Sequence, residues 1–167
     1  MKRFKKDGIS MTDEKFLQAY ERLRYTVYSV IYSYTKNADD AADLSQDTFI
    51  SLYTYSGEFE SDEHMKAWLI RVAINHCNNY YRSRKHLSVS PIPEDLPAEE
   101  RFEPDEIIGE VMKLPEKYRI PIHLFYYEEY SITQIAKILR LPDATVKTRL
   151  KRGRDKLKKS LKKEEWL

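Results

Sequence analysis

Apolar residues in the first half of the chain recur at intervals of three and four. Phe16, Tyr20, Leu23, Val27, Ile31 and Tyr34 form one such stripe, the spacing of a helix that buries a single face. Thr12 supplies a hydroxyl able to cap free amides at the start of this helix, and Asp13 and Glu14 suit the positive end of its dipole. Asn37 is expected to close it. A second helix is predicted over residues 38–55, with Ala41, Leu44, Phe49, Leu52 and Tyr53 available for packing, and Gly57 ends it. After a polar loop at 58–63, a third helix carries Met65, Trp68, Leu69, Val72, His76 and Tyr80 at helical spacing and runs to about Arg84. Three helices joined by short links predict a compact bundle.

The pattern then stops. Pro91, Pro93, Pro97 and Pro104 crowd into an acidic stretch with no apolar period. Proline removes helix donors and like charges repel, so residues 87–104 read as an extended linker. Helical spacing resumes at 106–114, is interrupted by Pro115, and continues over 116–129, where Pro121 is expected to weaken or kink the first turns. Ser131 reads as the cap of a short helix at 132–139. A turn at 140–143 follows, with Asp143 as the expected cap of a last helix striped by Val146, Leu150, Leu157 and Leu161. The expected fold is therefore all-α: a helical bundle at 12–86, the linker, and a second small helical domain at 105–167, preceded by a basic tail at 1–11.

Composition narrows the classes. The 167 residues include only 4 glycines and 7 prolines, too few for the closely spaced turns of a sandwich or barrel. No apolar run nears the roughly 18 residues of a membrane span, and residues 1–10 lack the apolar stretch of a signal peptide. A cytoplasmic chain without membrane insertion is expected. Cys77 stands alone, which excludes an internal disulfide and any multi-cysteine zinc site.

The net charge of +2 conceals sorting. Between His64 and His86 there are Lys66, Arg71, Arg82, Arg84 and Lys85 and no acid. From Glu94 to Glu106 seven acids face the single Arg101, and from Arg140 to Lys163 eleven basic residues face only Asp143 and Asp155. Two basic blocks separated by an acidic one suit a polyanion contacted at two places.

The strongest local signal is the helix, tight turn and helix at 131–159. Ile132, Ile135, Ala136 and Leu139 face a core, Leu141 fills the corner, and Val146 and Leu150 hold the second helix. Thr145, Lys147, Thr148, Lys151, Arg152 and Arg154 remain on its other faces, the division a recognition helix needs for the major groove. Gly153 in mid-helix costs about 1 kcal/mol relative to alanine, which a close backbone approach would explain. In the third helix, Asn75, Asn78 and Asn79 offer amides to base edges, and Lys66, Arg71, Arg82, Arg84 and Lys85 offer cations to phosphates. Trp68 shares a stripe with Met65 and Val72, which assigns it to packing. Enzymatic patterns are weak: the four histidines have no ligand spacing, Cys77 reads as a buried apolar residue, and no glycine-rich phosphate loop exists. No cofactor or metal is expected. Asp39, Asp43 and Asp47 leave open a helical metalloenzyme, although a solvated or partner-binding face fits their spacing better, and a stand-alone helix-turn-helix regulator also remains open.

The order of segments resembles the extracytoplasmic-function (ECF) sigma factors, the small promoter-recognition subunits of bacterial RNA polymerase. Asp40-Ala41-Ala42-Asp43-Leu44-Ser45-Gln46-Asp47-Thr48-Phe49 is similar to the family's D-A-E-D-x-x-Q-E-x-F segment, and Ala67-Trp68-Leu69-Ile70-Arg71-Val72-Ala73-Ile74-Asn75 to its A-W-L-x-R-I-A-x-N segment, followed by the basic Tyr81-Arg82-Ser83-Arg84. Leu114-Pro115-Glu116-Lys117-Tyr118-Arg119 resembles the opening of region four, and 131–136 with 145–154 its helix-turn-helix.

The resemblance implies a non-catalytic sigma factor that binds core RNA polymerase, through its β′ clamp coiled coil and β flap, together with promoter DNA. The implied polymerase contacts are Asp40, Asp43, Gln46, Asp47 and Phe49. The third helix and its preceding loop (58–64) would capture the non-template strand of the minus-ten element, with Asn75 holding a flipped base among Lys66, Arg71, Asn79, Arg82 and Arg84. Lys147, Thr148, Lys151 and Arg152 would enter the major groove of the minus-thirty-five element beside Thr145, with Arg149 and Arg154 nearer phosphates. An anti-sigma protein is a further partner the resemblance admits. Ala42, Asp47, Gln134 and Ala144 depart from residues usual in the family, and the four acids of the loop at 58–63 disfavour phosphate.

Overall fold

The computed structural model describes residues 11–84 and 106–164; the expected basic tail at 1–11, except Met11, and the linker at 87–104 lie outside them. Seven α-helices and no strand occur among the described residues: α1 (Asp13–Thr35), α2 (Ala38–Tyr53), α3 (Asp62–Arg84), α4 (Glu106–Lys113), α5 (Glu116–Tyr126), α6 (Ile132–Leu139) and α7 (Asp143–Glu164). Internal contacts gather into two units, Met1–Asn78 and Asn79–Leu167.

In the first unit, Thr12 caps α1 as its sequence predicts, its Oγ1 accepting the Lys15 N–H at 3.3 Å. Asn37 plays the opposite part from the one expected. Lys36, in the left-handed region at φ 52°, ends α1, while the Asn37 side chain accepts the Asp40 N–H at 2.9 Å and opens α2. A short polar side chain satisfies exposed amides better than carbonyls, so it belongs at a helix start. The core collects Leu23, Val27, Val30 and Ile31 of α1, Leu44 and Leu52 of α2, and Leu69, Ile70, Ala73, Ile74 and Cys77 of α3. The buried face of α3 is thus turned from the expected stripe: Met65, Trp68, Val72, His76 and Tyr80 are only half-buried. Two helical stripes compete on α3, and the aliphatic one takes the interior because the other carries rings and an imidazole with polar atoms to satisfy.

The second unit packs α5 and α6 against α7, with Ile120, Ile122, Leu124, Ile135, Val146 and Leu150 inside. Pro121 lies within α5, which nevertheless runs without a break from Glu116 to Tyr126. The lost amide bond is offset by burial of apolar neighbours on both sides of the proline, each worth about 1.5–3 kcal/mol. α5 ends earlier than its pattern suggests, at a loop where Glu129 takes φ 58°. Buried Arg119 donates from Nη1 to the Leu114 carbonyl at 2.7 Å, satisfying the carbonyl where Pro115 cannot continue α4. Buried Glu110 accepts from Lys113 Nζ and Ser160 Oγ, joining α4 to α7.

Candidate nucleic-acid interface

The helix-turn-helix is set by its caps. Ser131 Oγ accepts the Gln134 N–H at 3.2 Å and Gln134 Oε1 accepts the Ser131 N–H at 2.9 Å, a reciprocal capping box. Gln134, where glutamate is usual in the resembling family, performs this task without a charge. Arg140 closes α6 at φ 54°. Asp143 is the first residue of α7 rather than its cap: the Pro142 carbonyl accepts the Thr145 and Val146 amides, and Asp143 Oδ2 accepts the Thr133 hydroxyl at 3.0 Å. That bond ties the two helices together across their turn.

With Val146, Leu150 and Gly153 buried, the 3.6-residue period fixes the remaining faces of α7. Lys147, Thr148, Lys151 and Arg152 are exposed and span the outer arc. Thr145 and Arg149, half-buried, turn to one flank, where with Thr148 and Arg152 they line a cleft completed by Lys117 and Tyr118 of α5. Arg154 lies on the other flank, its Nη1 donating to the Tyr126 hydroxyl at 3.3 Å. Burial raises the Tyr118 phenol, but the hydrogen bond from Arg152 and the charges of Lys117 and Arg152 outweigh it, and the group ionises below its ordinary value. The ammonium groups of Lys117 and Lys156 lie 5.1 and 5.8 Å from its ring. Lys117 and Tyr118 were absent from the residues expected to form this surface; the basic residue two places after Pro115 was the available signal.

On α3, Arg71, Asn75, Asn79 and Arg82 fall on one outer stripe by helical period, with Asn75, Asn79 and Arg82 exposed. Lys66 and Arg84 do not join them. They fall on the side of the buried face at the two ends of the helix, and the Arg84 guanidinium lies 4.6 Å from the Tyr80 ring centre. Trp68 packs with the α2–α3 loop, 4.6 Å from the Tyr55 ring and 5.4 Å from Phe59.

On α2, Asp43, Gln46 and Asp47 form an exposed stripe, with Asp40 half-buried beside it. Phe49 is 4% exposed, inside an aromatic group with Phe16 and Tyr20, so it supports this face from within. The exposed apolar residues there are Ile50 and Tyr53, which apolar spacing alone had assigned to nothing or to packing. Among the described residues no group of three or more His, Cys, Asp or Glu side chains converges as metal ligands do, and no helix is long and apolar enough to cross a membrane.

Residues 19–87 match the family described as Sigma-70 region 2, and residues 105–157 match Sigma-70, region 4. The ECF RNA polymerase sigma factor SigW of Bacillus subtilis (strain 168) is 30% identical over 156 residues, covering 81% of this chain and 83% of SigW. SigM of the same organism is 29% identical over 152 residues, covering 84% and 91%. Among solved structures, the sigma factor RpoE in complex with the anti-sigma factor NepR from Bartonella quintana has a TM-score of 0.71 at 22% identity, over 89% of this chain and 98% of RpoE. CnrH, solved with the cytosolic domain of CnrY, has a TM-score of 0.66 at 24% identity, over 90% of each chain. These two likenesses are of fold.

Proposed function

Since the chain belongs to the ECF group of RNA polymerase sigma factors, we propose how its surfaces divide the work of promoter recognition. The observation that carries the reading is the sorting of α7: apolar residues hold one face, and hydroxyls and cations occupy the others. Lys147, Thr148, Lys151 and Arg152 read base edges of the minus-thirty-five element in the major groove. Arg149 and Thr145, with Lys117 across the cleft, grip a backbone phosphate on one side, and Arg154 grips one on the other.

The second contact is made by α3. Asn75, with Arg71, Asn79 and Arg82 on the same stripe, holds the melted non-template strand of the minus-ten element. Lys66 and Arg84 contribute charge at the helix ends. Glu58 and Glu60 of the preceding loop are exposed and can only accept hydrogen bonds, which suits the amino edges of adenine or cytosine and repels phosphate. Asp40, Asp43, Gln46 and Asp47, with Ile50 and Tyr53 beside them and Phe49 beneath, bind the β′ clamp coiled coil, while the second domain reaches the β flap. Residues 87–104 tether the two domains. The chain acts with polymerase in the cytoplasm and performs no reaction of its own. An anti-sigma protein, of the kind recorded with the Bartonella quintana relative, is a further partner.

Transcription from supercoiled promoter DNA by core polymerase plus the purified chain tests the reading. Asn75→Ala is expected to reduce open-complex formation at least tenfold while upstream duplex binding persists. A chain that binds duplex DNA but neither binds core polymerase nor supports transcription would instead be a stand-alone regulator.

A further inference from the structure

Residues 54–61 lie between α2 and α3, and 54–60 alternate strictly in exposure. Tyr55, Gly57 and Phe59 turn inward and Ser56, Glu58 and Glu60 turn outward, so the segment, bent at Gly57, has two faces. The inward face is a ring stack. Tyr55 and Phe59 lie 4.9 Å apart with planes 29° from parallel; Trp68 of α3 meets Tyr55 at 4.6 Å and Phe59 edge-on at 5.4 Å. Phe59 also meets His64 edge-on at 5.6 Å.

Two further features fix the path. The Tyr55 ring folds over Gly57 so closely that an added β-carbon would lie 2.4 Å from Cζ, so any side chain at this position displaces the ring. At the far end, Ser61 Oγ accepts the His64 N–H at 3.1 Å, and His64 Nδ1 accepts the Glu60 N–H at 3.2 Å.

Stability of the bundle does not call for this construction. Two helices can be joined by two to five residues, and none of Tyr55, Phe59 and Trp68 belongs to the buried core. Aromatic pairs contribute about 0.5–1.5 kcal/mol each beyond burial, which offsets part of the conformational entropy of ordering loop residues at about 1–2 kcal/mol apiece. The rings therefore stabilise the shape of the loop itself.

We propose that Tyr55, Phe59 and Trp68, closed over Gly57, are positioning residues that hold the α2–α3 loop in one bent path, ready to receive unpaired promoter DNA along its outer edge. The inference rests on the reading of α3 and this loop as the minus-ten contact. Order established before binding lowers the entropy cost of capture, so loosening the stack weakens strand capture without touching the DNA-facing groups.

The test uses the full chain with core polymerase on a promoter selected with the wild-type chain, with permanganate reactivity of unpaired thymines as the readout of melting. Gly57→Ala removes no side chain and Phe59→Ala removes one ring. Both are expected to lower the melted fraction at least tenfold, with binding of the upstream duplex element within twofold of wild type, and Phe59→Tyr should restore melting. Should Phe59→Ala reduce the helical circular dichroism signal, Gly57→Ala decides. Wild-type melting by both variants, with helix content unchanged, overturns the inference while leaving the parent reading intact. A wild-type chain that binds core polymerase yet melts no promoter overturns the parent reading, and this one with it.

Discussion

Gly153 of α7 lies against Ile122 of α5: a β-carbon added at Gly153 would come within 3.0 Å of Ile122 Cγ1 and 3.5 Å of Tyr118 Cβ. Glycine in a helix interior costs about 1 kcal/mol relative to alanine, and here the cost permits α7 to cross α5 closely. The crossing also sets where Arg152, the preceding residue, meets Tyr118.

Gly153→Ala should therefore destabilise the chain despite its better helix propensity. Overpacking a tight site costs about 1–3 kcal/mol, set against about 1 kcal/mol of propensity gained, so a net loss near 1 kcal/mol is expected in urea unfolding. A gain equal to the full propensity increment would show that the crossing has slack.

Lys117 and Arg152 border one cleft but are assigned different tasks, and their alanine variants should separate them. Lys117→Ala should weaken promoter and random duplex alike and reduce the slope of log affinity against log salt by about 0.9. Arg152→Ala should cost about 1–3 kcal/mol of discrimination between them. Binding isotherms across a salt series on both DNAs give both quantities, and an equal loss on the two DNAs for Arg152→Ala would make it a phosphate contact.

The Tyr118 phenol, lowered on balance below 10.0 by Arg152 and Lys117 against the opposing effect of burial, predicts an alkaline signature. In the unfolded chain the group titrates near its ordinary value. As pH rises through the lowered folded value, the folded state holds fewer protons than the unfolded one, so the contribution to stability grows with pH. It is fully present above about 10, is lost as pH falls through the folded value, and is absent at neutral pH. The difference in unfolding free energy between the wild-type chain and Tyr118→Phe should widen between neutral and alkaline pH.

Ser131→Ala removes half of the capping box that starts α6. A loss of about 1 kcal/mol is expected, read by thermal or urea unfolding of the chain. Gln134→Glu keeps the reciprocal bond and adds a charge at the positive helix end, so it should be neutral or stabilise by about 0.3–1 kcal/mol. A destabilising Gln134→Glu would mean that nearby groups reject the charge.

Periodicity alone determined the helical class, because the 3.6-residue recurrence of apolar residues survives any rearrangement of neighbours. It gave α1 its Thr12 cap and α6 its Ser131 cap, since a cap is satisfied by amides two or three residues away. Local sequence also singled out Gly153 as an anomaly in want of a close approach. Tertiary packing decided the rest. Which of two stripes on α3 is buried depends on what α1 and α2 bring against it, so Trp68 left the core for the loop. Asn37 could equally have ended one helix or begun the next until Lys36 took the left-handed turn. Lys117 and Tyr118 joined the α7 surface only through the crossing at Gly153, and Phe49 withdrew beneath Ile50 and Tyr53 because its ring found Phe16 and Tyr20. Such choices depend on contacts between residues far apart in the chain, which no local spacing encodes.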